Sequence, residues 1–231
     1  MRLDKLLSNA SNLTRSQAVR AIRDGDVLVD GEPITKSSTH VSEANHVTYL
    51  GTVISEPKPR YYMLNKPLDC VSANRDKNSL TVFDYLIVPR RDQLHVAGRL
   101  DRDTTGLILV TDDGQWSHKL TSPKHEHFKR YRVTLAEPIT EQAIHKLEQG
   151  IMLEGETKIT RPAMVHTLES NLIHLSISEG RYHQVKRMLE AVGNEVVGLH
   201  RESIAHIELD TDLPLGKWRE LTIDEIDLSN S

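Results

Sequence analysis

The chain is poor in cysteine and in aromatic residues: Cys70 is its one cysteine, and aromatic residues make up 4% of its 231 positions. A single cysteine excludes an intramolecular disulfide and any zinc site built on cysteine ligands. Long apolar runs are also missing, since none approaches the roughly 20 residues that a membrane helix requires. The segment after Met1 is polar and amphipathic, unlike the apolar core of a signal peptide. We therefore expect a cytoplasmic protein without a membrane partner.

Metal and cofactor chemistry are disfavoured as well. Twelve histidines are present, but His125 and His127 stand among basic residues whose charge would repel a cation. The chain has no glycine-rich phosphate loop and no redox cysteine pair. Its hydrophobic content of 38% and its charged content of 27% are typical of a globular protein, and its length suggests one or two domains. We expect neither a metal nor a cofactor.

Charge is distributed unevenly along the chain, although the net charge is only −4. Residues 202–231 carry eight acidic and two basic side chains, a local net charge of −6, so the rest of the chain has a net charge of +2. Residues 119–132 carry five basic side chains against Glu126, a local net charge of +4. A polyanion responds to such a local field. The basic segment is therefore either a phosphate-binding patch or a solvated loop, and charge alone does not separate the two.

Residues 1–50 show the pattern of a small unit that begins with two helices. A short helix is predicted over residues 3–7, and Thr14-Arg-Ser-Gln17 has the spacing of a capping box that begins a second one. Gly25 is placed to end this second helix. Three strands are predicted after it, at residues 27–29, 32–34 and 46–50, the first two joined by an Asp-Gly turn.

Residues 51–59 contain two prolines and no helical or strand periodicity, which is typical of a linker. The larger domain then spans residues 60–231. Its predicted strands are residues 60–66, 107–110, 131–135, 163–168, 172–177, 195–199 and 203–209. Helical periodicity is confined mainly to residues 141–149 and 182–192. Many strands with few intervening helices predict an α+β fold with a mixed, mainly antiparallel sheet.

An aspartate stands just before a predicted buried strand. Asp101 lies in a polar turn that precedes the apolar run Leu107–Val110. A carboxylate at that position could act as a nucleophile. The segments Gly98-Arg-Leu-Asp101 and Asp103-Thr-Thr-Gly-Leu107 resemble the catalytic motif of RNA pseudouridine synthases of the RsuA/RluA type. The resemblance implies that Asp101 is the nucleophile; should Asp101 prove dispensable, Asp103 is the next candidate.

Three further segments match the same family. The first ends in Lys66-Pro67, which the resemblance assigns to support of the sheet and the active-site loop. Tyr131 matches the family's active-site tyrosine, and its flat ring could stack on uracil while its hydroxyl takes part in proton transfer. Lys186 stands where the family has a basic residue that pairs with the catalytic aspartate; many relatives carry arginine there, and Arg181 and Arg187 are alternatives in this chain. The residues expected to support the active site are Arg99, Thr105, Gly106, Lys66, Arg181 and Gln184.

The amino-terminal unit resembles the S4 RNA-binding module in the segments Arg2-Leu-Asp-Lys-Leu-Leu7, Thr14-Arg-Ser-Gln-Ala18 and Gly25–Gly31. The match is short, and the alternative is a generic pair of helices that caps the larger domain. Basic side chains on or beside the helices could contact phosphates without reading bases. The predicted RNA-binding residues are Arg2, Lys5, Arg15, Arg20 and Arg23 in this unit, with Lys124, Lys129, Arg130 and Arg187 in the larger domain.

The resemblance covers nearly the whole chain and is greatest to the RsuA branch of the family. It implies a monomer that binds 16S ribosomal RNA or an assembling small ribosomal subunit and isomerises one flipped-out uridine to pseudouridine without a cofactor. Two alternatives stay open, a related synthase acting on 23S rRNA and a non-catalytic RNA-binding assembly factor. The joint presence of Asp101, Tyr131 and Lys186 argues against the second. Whether the aspartate attacks the base or the sugar, or first removes a proton near C2′, is left open.

Overall fold

The computed structural model describes residues 1–230 and divides into two compact units, with the division between Pro59 and Arg60. Each unit has its own hydrophobic core. The first unit holds two helices and a small sheet, and the second holds a nine-stranded sheet with helices. Among the residues described, no helix has both the length and the apolar character needed to cross a membrane.

Two helices and a four-stranded sheet make up the amino-terminal unit. Its elements are α1 (Leu3–Ala10), α2 (Arg15–Arg23), β1 (Val27–Val29), β2 (Glu32–Pro33), β3 (Val47–Tyr49) and β4 (Thr52–Ile54). Thr14 begins α2 with the predicted capping box, in which its side chain and that of Gln17 each accept from the other residue's backbone N–H. The leucines of α1 pack against Ala18 and Ile22 of α2, which gives this unit its core.

The predicted linker differs from the structure in its first residues. Leu50 and Gly51 have positive φ angles of 46° and 77°, and this pair forms a tight turn of the kind that joins antiparallel strands. Thr52–Ile54 then pairs with β3 as the last strand in the order β2-β1-β3-β4. The strand has three residues and only Ile54 is buried, so it shows no periodic pattern in the sequence.

The second unit contains the strands β5 (Tyr61–Lys66), β6 (Cys70–Val71), β7 (Leu80–Thr81), β8 (His95–Ala97), β9 (Thr105–Thr111), β10 (Lys129–Leu135), β11 (Met164–Glu169), β12 (Leu172–Ile177), β13 (Val196–Ile204), β14 (Ile207–Glu208) and β15 (Trp218–Glu220), and the helices α3 (Gly114–Thr121), α4 (Glu141–Gln149), α5 (Gln184–Ala191) and α6 (Ile223–Ile226). Its main sheet has the order β11-β12-β10-β13-β9-β5-β15, with β8 beside β9 and β14 beside β13. Strands β9 and β13 run parallel, whereas the other pairs in this sheet run antiparallel. The predicted α+β fold with a mixed, mainly antiparallel sheet is confirmed.

The boundary between two predicted strands lies elsewhere in the structure: β13 runs from Val196 to Ile204, and the end of the second predicted strand forms β14. Separate strands are predicted at residues 195–199 and 203–209, but β13 runs unbroken through the polar residues between them. Glu202 accepts from Arg130, and Arg201 donates to buried carbonyl groups. Because both charged side chains have partners, they are tolerated in a central strand even though they interrupt the apolar pattern.

Helices α4 and α5 cover one face of the sheet around β10. The core on that face contains Tyr131, Val133 and Leu135 of β10, Leu147 of α4 and Met188 of α5. Strands β5 and β9 are covered on both faces by two further apolar clusters. Leu100, in the connection between β8 and β9, is buried in the first core. The loop that carries the candidate nucleophile is therefore anchored to the core by the residue just before it.

Gly106 permits β13 to lie directly against β9. Its φ angle is 103°, a conformation that side-chain-bearing residues rarely adopt. A Cβ atom at this position would lie 2.3 Å from the backbone oxygen of Arg201. The parallel register pairs Gly106 with Arg201. This close approach lets the Arg201 side chain reach the backbone of the loop at residues 98–104, where it donates to the carbonyl of Gly98.

Candidate active site

The loop between β8 and β9 carries Asp101, and side chains from three other segments hold it. The Ser72 hydroxyl donates to the carbonyl of Leu100 at 2.7 Å and accepts from the N–H of the same residue at 3.0 Å. Lys66, fully buried at the end of β5, donates to two carbonyls of the loop at 2.8 Å and 3.3 Å. Burial lowers the pKa of this ammonium. Lys66 therefore binds the backbone of the loop rather than the carboxylate of Asp101.

A buried arginine that no sequence motif indicated completes this support. Arg201 of β13 is 1% exposed. Its side chain donates to the carbonyl oxygens of Gly98 (2.7 Å), Arg99 (3.3 Å) and Leu107 (2.9 Å). The sequence offered no signal for this role, because Arg201 falls between two predicted strands and its acceptors are backbone carbonyls distant in the chain. Two buried cations, Lys66 and Arg201, thus bind the backbone on both sides of Asp101.

Each carboxylate oxygen of Asp101 faces a different basic side chain. Lys186 Nζ lies 3.4 Å from Oδ2, and His183 Nε2 lies 3.6 Å from Oδ1. Lys186 also binds Oδ1 of Asp103 at 2.5 Å, and this hydrogen bond lowers the pKa of Asp103. The side chain of Asp101 is 34% exposed and that of Asp103 is 71% exposed. Asp101 is therefore the more enclosed of the two carboxylates that share Lys186.

The alternatives to Lys186 bind other carboxylates. Arg181 and Arg187 both reach Glu156, at 2.5 Å and 2.7 Å. Arg181 also donates to two backbone carbonyls of the same loop. Arg181 joins the loop that contains Glu156 to the segment before α5, and Arg187 joins the same loop to α5 itself. In the part of the chain that the structure describes, neither arginine pairs with Asp101.

A cavity of about 690 Å³ lies beside Asp101. Tyr131 of β10, which is 8% exposed, and Lys186 of α5 line it together with Asp101. The predicted supporting residues that also line it are Arg99, Arg181 and Gln184. An aspartate, a tyrosine and a lysine from separate segments therefore meet in one cavity of a size typical of small-molecule sites.

Two of the predicted supporting residues, Gln184 and Thr105, make side-chain hydrogen bonds that hold neighbouring segments. Gln184 accepts from the N–H of Arg181 at 2.8 Å and donates to Glu179 at 2.8 Å, which fixes the start of α5. Thr105 Oγ1 lies 2.8 Å from Nδ1 of His200 and lines a second cavity rather than the one beside Asp101. These interactions shape the segments that carry the site and leave the reacting groups to other side chains.

The helix predicted from Tyr182 begins two residues later, at Gln184. His183 has a φ angle of 49°, in the left-handed region, so the helix does not extend back through it. The imidazole ring of His183 stacks on the ring of Tyr182, with centroids 3.8 Å apart and planes 19° apart. Tyr182 is 77% exposed and lines the mouth of the cavity.

Three predicted RNA-binding residues of the larger domain lie in other environments than expected. Lys129 is 8% exposed and lines the cavity, and burial lowers its pKa to about 8. It is buried because it precedes Tyr131 by two residues, so both side chains lie on the covered face of β10. Arg130 binds two glutamates, at 3.3 Å and 3.2 Å, and Arg187 is held by the loop of Glu156. Lys124 is exposed, as a phosphate contact requires.

Carboxylates accompany part of the basic set on the amino-terminal helices. Arg2 and Arg15 share Asp4, at 2.8 Å and 3.3 Å, and the hydrogen bond from Arg2 is the main cause of the lowered pKa of Asp4. Arg20 lies 3.6 Å from Asp24. The three arginine side chains are still 45%, 56% and 85% exposed. They remain accessible to phosphates. Among residues 1–230, no three histidine, cysteine, aspartate or glutamate side chains lie together in a way that could hold a metal ion.

Comparison with known proteins gives matches to both units. The model of the RNA pseudouridylate synthase family matches residues 60–191, and the S4 domain model matches residues 1–47. The chain is 48% identical to a ribosomal small subunit pseudouridine synthase A of Haemophilus influenzae and 46% identical to the protein of that name from Escherichia coli K12, with 98% of each chain covered in both cases. Among solved structures it is similar to one described as a pseudouridylate synthase, with a TM-score of 0.71, 46% identity and 98% of each chain covered.

Proposed function

Because this chain belongs to the family of RNA pseudouridylate synthases, we propose that it isomerises one specific uridine of 16S ribosomal RNA to pseudouridine. Relatives at 46% to 49% identity, matched over 98% of both chains, are named for the small ribosomal subunit. The observation that carries the proposal is the meeting of Asp101, Tyr131 and Lys186 in one cavity. This combination of a nucleophile, an aromatic ring and a compensating cation in one cavity favours catalysis over RNA binding alone.

Asp101 is the nucleophile of this proposal. In pseudouridine formation the N1–C1′ bond of uridine breaks, the base turns, C5 joins C1′ and the C5 proton is removed. Asp101 lines the cavity, and Lys186 compensates its charge from 3.4 Å. Asp103 shares the same lysine but is 71% exposed, so solvent competes with any substrate for its oxygens.

Tyr131 and Lys186 have supporting roles in the chemistry. The ring of Tyr131 can stack on the uracil, and its phenol can handle the C5 proton. Lys186 acts as a point charge and cannot orient a carboxylate by a bidentate fork. The hydrogen bonds that hold the loop backbone position Asp101 instead, and His183 lies 3.6 Å from its other oxygen. Lysine therefore suffices at this position.

The target uridine has to leave its base stack to reach the cavity, at a cost of a few kcal/mol. Exposed basic side chains near the cavity, those of Arg99, Arg102 and Lys124, can offset this cost by binding phosphates. The substrate is the free rRNA or an assembling small subunit. The cavity is complete within one chain, so we expect a monomer to be active, and we expect it to act in the cytoplasm, where this RNA is assembled.

Isosteric amides at the two aspartates test this assignment. Cells that lack the protein are complemented with the parent, Asp101→Asn or Asp103→Asn, and pseudouridine in their rRNA is mapped after chemical labelling. One site in 16S rRNA should lose pseudouridine without the protein, regain it with the parent and largely with Asp103→Asn, and stay unmodified with Asp101→Asn. The Asp103 variant is the matched control because both carboxylates bind Lys186.

Purified variants separate chemistry from binding. In a tritium-release assay on C5-labelled rRNA, Asp101→Asn should show no turnover while its RNA affinity changes by no more than a few-fold, since the substitution removes a nucleophile and leaves the phosphate-binding side chains in place. Turnover by Asp101→Asn together with its loss in Asp103→Asn would move the nucleophile to Asp103. A modified site that maps to large-subunit rRNA would overturn the 16S assignment.

A further inference from the structure

An exposed tyrosine stands at the mouth of the cavity and takes no part in the proposed reaction. Tyr182 is 77% exposed, and among residues 1–230 its hydroxyl has no hydrogen-bond partner. One face of its ring is stacked on His183, 3.8 Å away between centroids. The high exposure leaves the other face in solvent. Single exposed apolar residues are common on protein surfaces, but this ring lines the cavity and is stacked on the side chain that lies beside Asp101.

The backbone that carries Tyr182 is fixed on both sides. Arg187 donates to the carbonyl of Tyr182 at 3.1 Å, and the preceding Arg181 is held by Glu156. His183 has a φ angle of 49°, in the left-handed region that histidine adopts more readily than most residues with a side chain. The stacked rings of Tyr182 and His183 are therefore held in one orientation.

The same pair is connected to the reacting carboxylate. His183 Nε2 lies 3.6 Å from Oδ1 of Asp101, so Tyr182 stacks on the side chain that touches the nucleophile. Arg99 and Arg102 line the same cavity and have exposed side chains. These arginines can bind the phosphates of the nucleotides that flank the target. Because Tyr182 lines the same cavity, a nucleotide bound by these arginines can reach the exposed face of its ring.

We propose that the stacked rings of Tyr182 and His183 form a second subsite, which binds the nucleobase next to the target uridine. The inference rests on the proposed function, in which the target leaves its stack to reach Asp101. Its neighbour then lacks a stacking partner, and the open face of Tyr182 supplies one. Stacking of this kind tolerates any base, because every base has a π face. The subsite adds affinity and register and does not read a particular base.

Two variants of Tyr182, combined with two changes in the RNA, test the subsite. Tyr182→Leu keeps apolar bulk and removes the ring, whereas Tyr182→Phe keeps the ring and removes the hydroxyl. The RNA is a 16S rRNA fragment that contains the target site, prepared intact or with the base removed from the 5′ or the 3′ neighbour of the target. The affinity of each protein for each RNA is measured at one salt concentration, and circular dichroism checks that the variants are folded.

The expected result is a coupling between the ring and one neighbouring base. Tyr182→Phe should bind like the parent, and Tyr182→Leu should bind intact RNA about 5- to 100-fold more weakly. Removing one neighbouring base should weaken the parent and Tyr182→Phe by a similar factor and leave Tyr182→Leu almost unchanged, because ring and base contribute through the same stacking interaction. If base removal at both positions affects all three proteins equally, or if Tyr182→Leu binds like the parent, the subsite does not exist.

Tritium release at saturating RNA separates this inference from the proposed function. Tyr182→Leu should keep the parent's single-turnover rate within a few-fold, since Asp101 and Tyr131 are unchanged. A parent protein that releases no tritium from the fragment would contradict the proposed function. An active parent without the coupling would contradict the subsite alone, and a collapsed rate with unchanged affinity would place the ring in the reaction and overturn the subsite too.

Discussion

Three basic side chains are buried near the candidate active site, and they differ in the number of carbonyl groups to which they donate. Lys66 and Arg201 each donate to three backbone carbonyls. Lys129 is 8% exposed and has, among the residues described, a single acceptor, the carbonyl of His127 at 3.4 Å. A buried ammonium with so few acceptors destabilises the fold. Because Lys129 lines the cavity, the oxygens of a bound nucleotide are the groups that could complete its hydrogen bonding.

Replacing this lysine should stabilise the protein. Burial lowers the pKa of Lys129 from 10.5 to about 8, so at pH 7 the folded state bears the full cost of the buried charge, about 3 kcal/mol. Lys129→Met removes the charge and keeps the length, so it should unfold at a higher urea concentration than the parent. Between pH 8 and 10.5, Lys129 is protonated in the unfolded chain but largely neutral in the folded one, so the parent becomes more stable as the pH rises. The difference in unfolding midpoint between Lys129→Met and the parent should therefore shrink.

Tryptophan fluorescence during urea unfolding is the measurement, at pH 7 and at a pH near 10. Both tryptophans, Trp116 and Trp218, belong to the second unit, so the signal reports on that unit. Lys124→Met is the matched control, because Lys124 is exposed and its replacement should leave the midpoint unchanged at either pH. A lower midpoint for Lys129→Met at pH 7, or a gain that does not change with pH, would contradict the prediction.

Single residues differ in how far the sequence reveals them. Asp101, Tyr131 and Lys186 can be picked out because short motifs fix their neighbours, and the structure brings all three into one cavity. Lys129 belongs to a basic segment, and only the alternation of β10 shows that its side chain turns inward. Arg201 has no motif around it, since its partners are backbone carbonyls 94 to 103 residues away in the chain. Long-range hydrogen bonds of that kind leave no local pattern.

At the scale of elements, the parallel pairing of β9 with β13 positions the site. It joins the strand that follows Asp101 to the strand that carries Arg201. The sequence predicts the apolar centre of β9 but not its neighbour, because β13 is interrupted by charged residues. The glycine at this pairing, Gly106, was expected to support the active site, and its geometry supplies the physical reason: only a residue without Cβ lets the two backbones approach.

Gly106→Ala should therefore be strongly destabilising. The φ angle of 103° is unfavourable for alanine, and the added Cβ would lie 2.3 Å from the backbone oxygen of Arg201, which cannot rotate away as a side chain does. We expect the free energy of unfolding of the second unit in urea to fall by about 3 kcal/mol or more. We also expect turnover to fall in the folded fraction, since Arg201 holds the loop of Asp101.

Gly114→Ala provides the control for this substitution. A Cβ at Gly114 meets no atom within 4 Å, and Gly114 lies at the first position of α3 with an ordinary φ angle. Its replacement should change stability by no more than about 0.5 kcal/mol. Equal midpoints for the two variants would show that β9 and β13 leave room for a side chain at Gly106.

At the scale of the whole molecule, we expect the second unit to carry the chemistry and the first unit to contribute to RNA binding. Residues 1–59 carry seven basic and seven acidic side chains, so this unit has no net charge to attract RNA. Its basic residues are nevertheless concentrated on the two helices, where Arg20 and Arg23 are exposed. The cavity with Asp101, Tyr131 and Lys186 belongs entirely to the second unit. RNA binding by the first unit would therefore depend on the local placement of charge.

Deleting residues 1–59 should leave the chemical step intact and weaken RNA binding. The remaining unit keeps its own core and the whole cavity, so the single-turnover rate at saturating RNA should stay close to that of the parent. The slope of log K against log salt should become shallower by about 0.7–0.9 for each phosphate that the first unit neutralises. Because phosphate binding also fixes register, the truncated protein should lose site selection on long rRNA. A rate that collapses at saturating RNA would mean that the first unit helps to build the active site.

Two charge-matched variants of the full chain locate the phosphate-binding residues within the first unit. Arg20→Gln with Arg23→Gln removes two positive charges from α2, and Lys36→Gln with Lys58→Gln removes two exposed positive charges outside the helices. Both pairs change the net charge equally, so a difference between them reports on placement alone. If the helices bind phosphates, the first pair should make the salt slope shallower by up to about 1.8, the value for two phosphates no longer neutralised, and the second should leave it unchanged. Equal slopes for the two pairs, together with an unchanged slope in the deletion, would show that the first unit does not bind RNA through these helices.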